Sequence, residues 1–468
     1  MTKDEQIAAL KIQVNRLQVS LDAAMIKIAE LEQRLKKNSR NSDKPPSSDG
    51  LTKKPAIPRK RGKRKSGGQK GHKGKTLKSV ANPDERIVHK LEQSHCLCGC
   101  NLTALPARTH WEARQVFDLP PTLLRVTEHQ IEQKVCPTCH ELHQADFPAG
   151  VTSRVQYGPR VRALGVLLNV EHSLPSSRIE QFFANLTGYA INESTIYSAV
   201  ERTFDTLQVE EEIIHRAVET SPVAHADETG GRIEGSLHWI HGFSSLLFTF
   251  YTVCKQRGGT VINGTQSHLS NFTGWLVHDC LNSYFCMPGK VKHSLCVAHL
   301  LRELTAQMER PAALTWPAKM HELLMEFYQS SNYGKSIVAA EKLPELEKRY
   351  AEILALADRE ELPPRPSRRG PPKKTKGRNL LDRLQKYQSA VLAFAYHEEV
   401  PFTNNLGERD LRPWKTKLKV AGCFRTLVGA RRYARIKGFC STTRKHGKVV
   451  FDELVRVQTG DSFLRAGK

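Results

Sequence analysis

No apolar run in this 468-residue sequence approaches the roughly 18 residues that a membrane-spanning helix requires, and no leader-like segment stands at its start, so neither a membrane nor a secreted role is expected. Acid is scarce: 48 Asp and Glu face 71 Lys and Arg, a net charge of +23. An excess that large, clustered rather than spread, argues for a polyanionic partner, and nucleic acid is the usual one. A secreted disulfide framework is also missing. Five of the eleven cysteines lie between Cys96 and Cys139 and the rest scatter through apolar segments. That distribution fits a reducing cytoplasm, one metal site and buried thiols elsewhere. Between residues 37 and 80 apolar residues almost vanish in favour of Pro, Gly, Ser and basic residues, a composition that cannot fold alone.

The segments that remain are each patterned. In residues 4–36, Ile7, Leu10, Val14, Leu17, Leu21, Ala24, Ile28, Leu31 and Leu35 alternate steps of three and four without Gly or Pro, predicting a helix with an a/d stripe. One helix cannot bury its own stripe, so a parallel homodimer is expected, an intramolecular partner helix being the alternative. Arg59, Lys60, Arg61, Lys63, Arg64 and Lys65 form a basic arm suited to phosphates or a narrow minor groove, or else a plain linker. Two knuckles, His95-Cys96-Leu97-Cys98-Gly99-Cys100 and Cys136-Pro137-Thr138-Cys139, resemble the halves of a zinc ribbon. Cys136 and Cys139 have the right spacing; Cys96 and Cys98 are favoured as the other ligands, with Cys100 and His95 competing for those positions. A strand pair is expected within 113–132. Helices are expected from Tyr157 to Val170, Ser176 to Leu186 and Ser194 to Leu207, the last capped by Ser194. They make either a DNA-reading unit or a lead-in to the sheet.

The chemistry is expected in the second half of the chain. The stretch 221–253 reads as a strand ending in Asp227, a Gly-Gly turn, and two apolar strands, Ser236–Phe243 and Leu246–Val253. Gly274–Asp279 is another strand ending in Asp, and a short strand at His293–His299 runs into a helix, Leu300–Met308. After a long helical insert, Asn404 or Asn405 is expected to cap a helix that carries Glu408 near its start, and Arg409, Arg412, Lys415, Lys417 and Lys419 make its surroundings basic. Three carboxylates from a mixed, ribonuclease-H-like sheet and a facing helix can hold two divalent cations about 3.5–4 Å apart for in-line displacement at phosphorus. Mg²⁺ suits such hard oxygen donors. Glu228, next to Asp227, is expected to face away because successive strand residues alternate.

At this point the motifs form a recognisable set. Asn41–Asp49, Gly67–Gly74, the cysteine module, Ala226-Asp227-Glu228-Thr229, His278-Asp279 with Tyr284, Cys296-Val297-Ala298-His299 and Thr403–Arg409 together resemble the Asp-Asp-Glu transposases of the insertion sequence 66 family over nearly the full length. The resemblance implies catalytic roles for Asp227, Asp279 and Glu408 with Mg²⁺ or Mn²⁺, a structural Zn²⁺ before the core, and a bacterial, cytoplasmic enzyme. That enzyme would cut and join double-stranded DNA at terminal inverted repeats and target, with element-encoded accessory proteins as possible partners. An inactive zinc-containing repressor and a nuclease without strand transfer are the alternatives. His299, Asn405, Arg409, Arg412 and Lys415 are candidate DNA contacts, Arg for its planar fork; a structural histidine, a helix cap and surface charges are their plainer readings. The family usually has Gly after its second carboxylate, where this sequence has Cys280. The expected architecture is a coiled-coil helix (1–36), a basic linker (37–85), a zinc-binding module (86–150), a helical region (151–218), an α/β catalytic core (219–440) with a helical insertion about 305–395, and a tail (441–468).

Overall fold

The computed structural model describes residues 13–22 and parts of 24–32, 79–87, parts of 93–137, 142–258, 269–287, 290–310, 314–363 and 374–465. The chain divides into two compact units, residues 53–145 and the remainder. In the smaller unit, strands β1 (Gln133–Val135) and β2 (Leu142–Gln144) pair antiparallel around the second knuckle. The described residues of 113–132, where a strand pair was expected, belong to no assigned strand. Cys98 is exposed and His95 makes a backbone bridge with Asn101. Cys96, Cys100, Cys136, Cys139 and the basic arm, Arg59 to Lys65, lie outside the described residues.

In the larger unit, residues 13–22 are helical, and Val14, Leu17 and Leu21 of the apolar stripe are exposed, as are Ile28 and Leu31 further on. The main body is a mixed five-stranded sheet in the order β5-β4-β3-β6-β7. Its strands are β3 (Val223–Ile233), β4 (Ser236–Ser244), β5 (Thr249–Cys254), β6 (Trp275–His278) and β7 (Lys292–Leu295). The first three form an antiparallel meander, and β6 and β7 run parallel to β3.

The first hairpin corrects the sequence reading. Strand β3 does not stop at Asp227 but continues through Gly230-Gly231 to Ile233, and the turn is Glu234-Gly235, both at positive φ (52° and 74°). Two left-handed residues match the twist of the strands they join. Gly230-Gly231 serves packing instead: a Cβ on Gly231 would lie 2.9 Å from Leu418 Cδ1 and 3.1 Å from Ile240 Cδ1. Strand β5 begins at Thr249, because Leu246 and Leu247 form an exposed turn.

Among the described residues of 151–222, the α-helices leading into the sheet are α1 (Pro159–Val166), α2 (Ser176–Thr187), α3 (Glu193–Thr206) and α4 (Gln208–Glu219). Helix α3 is capped not by Ser194 but by Asn192, whose Oδ1 accepts from Ser194 N at 2.9 Å. After β6 come the short α5 (Asn282–Phe285) and, after β7, α6 (Val297–Met308). The insert continues as α7 (Trp316–Ser330), α8 (Leu343–Glu360), α9 (Lys376–Lys386) and α10 (Gln388–Tyr396). It buries a core of its own, including Trp316, Leu323, Phe327, Tyr350 and Leu384, continuous with Leu295 of β7.

Helix α11 (Asn405–Ala421) covers β3 and β4; α12 (Leu427–Lys445) lies on β5; α13 (Val450–Gln458) packs on α1 and α3. Residues 441–468 are thus more than the tail expected: Leu454 and Val457 are buried in the main core, and Glu210 of α4 accepts from Ser462 Oγ at 2.6 Å and pairs with Arg465 Nε at 2.6 Å.

Asp410 is the polar anchor of this layer. Its Oδ2 accepts from Ser244 Oγ (2.8 Å) and Thr249 Oγ1 (3.0 Å) and pairs with Lys445 Nζ at 2.7 Å, while Tyr251 OH donates to its backbone carbonyl. One carboxylate thereby joins β4, β5, α11 and α12. Asp410→Ala would strand Lys445, whose own pKa is lowered mainly by burial. We expect a loss of about 3 kcal/mol in urea unfolding, at the low end of what breaking a buried pair costs because Lys445 retains two carbonyl acceptors. Lys445→Met should restore part of it. Equal stability of Asp410→Ala and wild type would show that the anchor contributes nothing.

Candidate active site

The parallel pairing of β3 with β6 sets the site. Val223, Ala224 and His225 lie opposite Trp275, Leu276 and Val277. Two residues further along each strand this register reaches Asp227 and Asp279. Neighbouring strands are about 4.8 Å apart, so the two aspartates emerge side by side at the carboxyl end of the pair. Asp279 Oδ1 accepts from Leu281 N at 3.2 Å, closing a turn just past β6. Cys280 within that turn has φ 75°, a conformation an L side chain adopts at a cost of about 1–2 kcal/mol. The departure from glycine thus falls on a left-handed position.

Asp227 carries the clearest electrostatic signature. Burial, then the charges of Glu228 and Asp279, raise its pKa to about 7, against the opposing pull of the Glu228 N–H on Oδ1 (2.9 Å) and of Lys415. Glu228 is raised as well, by burial and then by Asp279. Its side chain is almost wholly buried, accepting from Tyr284 OH at 2.9 Å and pairing with Arg257 at 3.0 Å; that guanidinium stacks 4.7 Å from the Trp239 ring centre. Strand alternation therefore does not isolate Glu228 as the sequence reading held. Its carboxylate lies within the field of both aspartates, supported by a tyrosine and an arginine that only the tertiary fold brings to it.

Helix α11 is fixed to this end of the sheet by Asn404. Asn404 occupies the cap position expected of Asn404 or Asn405, but its side chain makes no cap bond. Instead Nδ2 donates to Ala226 O (2.8 Å), so Oδ1 is left to accept from His225 Nδ1 (2.8 Å). Burial lowers His225 to about pKa 4, which keeps the ring neutral and fit for that role. The Asn404 N–H meanwhile points at Cys296 Sγ, 3.1 Å away. Gly407 completes the motif: a Cβ there would lie 2.9 Å from Asn404 Oδ1.

Glu408 comes one turn later, its N–H bonded to Asn404 O at 3.1 Å. Its carboxylate Oε1 lies 3.8 Å from His299 Nδ1 and 3.9 Å from Arg302 Nη2. Helix α6 starts at Val297, earlier than expected, with Cys296 at its cap position and His299 in its first turn. Burial disfavours the charged His299 ring, but Cys296 and then Glu408 outweigh burial and Arg302 and raise its pKa to about 9. Asn405, Arg409 and Arg412 are exposed on α11, while Lys415, half-buried, lies in the field of Asp227. Glu408 and Lys415, seven residues apart, share one edge of the helix. Glu228, Asn404, Cys296 and Arg302 were not assigned to the site from sequence, although three of the four stand inside the motifs that drew attention to it.

A model of the Transposase IS66 family matches residues 154–432, more than half of the chain. The chain belongs to this family. The match begins at the helices before the sheet and ends in α12, so it includes Asp227, Asp279 and Glu408. Residues 2–78 match a family of unknown function (DUF6444), and no curated protein matches the chain. Membership of the IS66 transposase family makes this a DNA-processing enzyme. Among the described residues no helix is long and apolar enough to cross a membrane.

The geometry of this IS66-family site has two measurable consequences. The raised pKa of Asp227 means that the folded chain holds its proton more tightly than the unfolded chain, whose value is near 3.9. The stabilising contribution is complete below about pH 4 and is lost as pH rises toward 7. In chelator, Asp227→Asn should therefore gain stability over wild type progressively across that window, and a difference independent of pH in thermal melts would refute it. At the next aspartate, Cys280→Gly should be more stable than Cys280→Ala by roughly 1 kcal/mol, since only glycine adopts positive φ freely; the reverse order would remove strain from the account.

Proposed function

We propose that the chain is an Asp-Asp-Glu transposase with a ribonuclease-H-like core, cutting and joining the ends of a bacterial insertion sequence. The observation that carries this reading is the matched register of Asp227 and Asp279 just past the parallel pairing of β3 with β6, beside a helix bearing Glu408 that Asn404 fixes to β3. The sheet order, three antiparallel strands followed by two parallel ones, supports the ribonuclease-H-like assignment.

The donor set fits a hard divalent cation. Asp227 and Glu228 both have raised pKa values because carboxylates crowd one another in a buried place, and Arg257 and Lys415 do not offset that excess. Asp227, Asp279 and Glu408 would hold Mg²⁺ or Mn²⁺, which when bound supplies Lewis-acid activation of the attacking oxygen and stabilisation of the leaving 3′ oxygen. The protein's own groups do the positioning. Arg257 and Tyr284 hold Glu228 within the acidic cluster, and Asn404 fixes the start of α11. Arg409 and Arg412, exposed along that helix, are placed to receive phosphate oxygens, and His299 and Arg302 set the direction of the Glu408 carboxylate. Upstream, the exposed heptad stripe supports pairing of two copies, and the basic arm and zinc module supply contacts to end DNA.

The test uses purified protein with DNA carrying the element's ends, and Mg²⁺. Asp227→Ala, Asp279→Ala and Glu408→Ala should each reduce cleavage and strand transfer by on the order of a hundredfold or more, the scale of losing one preorganised electrostatic group. Three variants at wild-type rates would overturn the assignment. Cleavage without joined products in the wild type would make it a nuclease.

A further inference from the structure

Cys296, His299 and Glu408 bring one sulfur, one imidazole nitrogen and one carboxylate oxygen within 4.8 Å of one another. This is not the hard-oxygen environment of Asp227 and Asp279. We propose that these three side chains form a separate site for one soft or borderline divalent cation, Zn²⁺ by its chemistry, and that such an ion withdraws Glu408 from the aspartate pair. The binding claim stands alone; only its consequence for catalysis rests on the transposase reading above.

Three observations support the site. The donor set of thiolate, imidazole and carboxylate with an open fourth position is that of an exchangeable zinc site rather than a closed structural one. Tetrahedral zinc, with bonds of about 2.0–2.3 Å, separates its ligand atoms by roughly 3.4 Å, so the cluster needs to contract by little more than an ångström. Finally, His299 Nδ1 and Glu408 Oε1 are buried without a hydrogen-bond partner, facing each other at 3.8 Å. An ion placed between two such buried polar atoms would satisfy both.

The backbone prepares the place. Cys296 sits at the cap position of α6 and His299 in its first turn, so one short segment delivers two ligands. The Asn404 N–H, 3.1 Å from Cys296 Sγ, holds the sulfur from the α11 side, and four residues later the same helix delivers Glu408. Cys296 itself is buried, while the side chains of His299 and Glu408 remain partly exposed, which leaves an entry path on their side. Arg302 is the opposing group, its Nη2 being 3.9 Å from the same Glu408 oxygen; it is partly exposed and free to swing outward when a cation replaces it.

Co²⁺ reports such a site directly, because thiolate ligation gives a near-ultraviolet charge-transfer band and tetrahedral geometry gives intense visible bands. The full chain carrying Cys136→Ser and Cys139→Ser removes the second knuckle and serves as the background. Titrated with Co²⁺ alone, it should show the thiolate band and one bound equivalent that Zn²⁺ displaces. Cys296→Ser and His299→Ala in that background should each lose the band and the equivalent, and circular dichroism identifies either variant if it misfolds. Asp227→Asn should keep both. Unchanged bands in folded Cys296→Ser and His299→Ala would overturn the site, as would loss of the band in Asp227→Asn. With end DNA and fixed Mg²⁺, added Zn²⁺ should slow cleavage in the background protein and not in its Cys296→Ser form. Binding without that inhibition would leave the site standing and sever its link to catalysis.

Discussion

One buried amide holds the two halves of the acidic centre together. Asn404 bonds to His225 and to the carbonyl of Ala226 on one side and points its N–H at Cys296 on the other. Strand β3, the start of α6 and the start of α11 are therefore fixed at a single point. A buried side-chain amide has two donors and two lone pairs to satisfy, and leaving one unmet costs about 1–3 kcal/mol. That cost makes the arrangement specific: α11 cannot slide along β3 without breaking bonds that water does not replace. The glycine at 407 reflects the same constraint, since the helix must pass closely over Asn404.

Around this point the charges are arranged in two groups of opposite balance. Asp227, Glu228 and Asp279 crowd together, and the excess shows as raised carboxyl pKa values at Asp227 and Glu228. Glu408 sits on the other side against His299 and Arg302. Like charges held close in a buried place are a cost to folding that binding of a cation offsets, so ligand binding and the stability of this end of the sheet are coupled. The anchor at Asp410 lies two residues beyond Glu408 but serves the opposite purpose: fully paired, it fastens α11 to the meander and to α12.

Much of this was legible in the sequence. The aspartates at the ends of apolar segments, the Asn-Asn-Leu-Gly-Glu motif, the helical insert and the basic character of α11 stand in the chain as local patterns. Less legible were features whose meaning depends on a distant partner. Gly230-Gly231 reads as a turn, yet it is strand, because Leu418 comes close above it and the turn falls on Glu234-Gly235. Asn404 reads as a cap and is a cross-link. Residues after 441 read as a tail, whereas Leu454 and Val457 find cover on helices more than 200 residues earlier.

The residues alone determined the chemistry on offer: a basic chain, carboxylates closing apolar segments, a cysteine and a histidine three apart, and an apolar stripe in need of a partner. Those are properties of composition and short-range spacing, which the chain carries whether folded or not. Tertiary structure decided which of these groups share a place. The β3–β6 register aligned Asp227 with Asp279, burial raised their neighbourhood's charge cost, and the approach of the start of α6 to the start of α11 set Glu408 beside His299. Each of these depends on contacts between segments tens to hundreds of residues apart, where no periodicity within one segment records its partner.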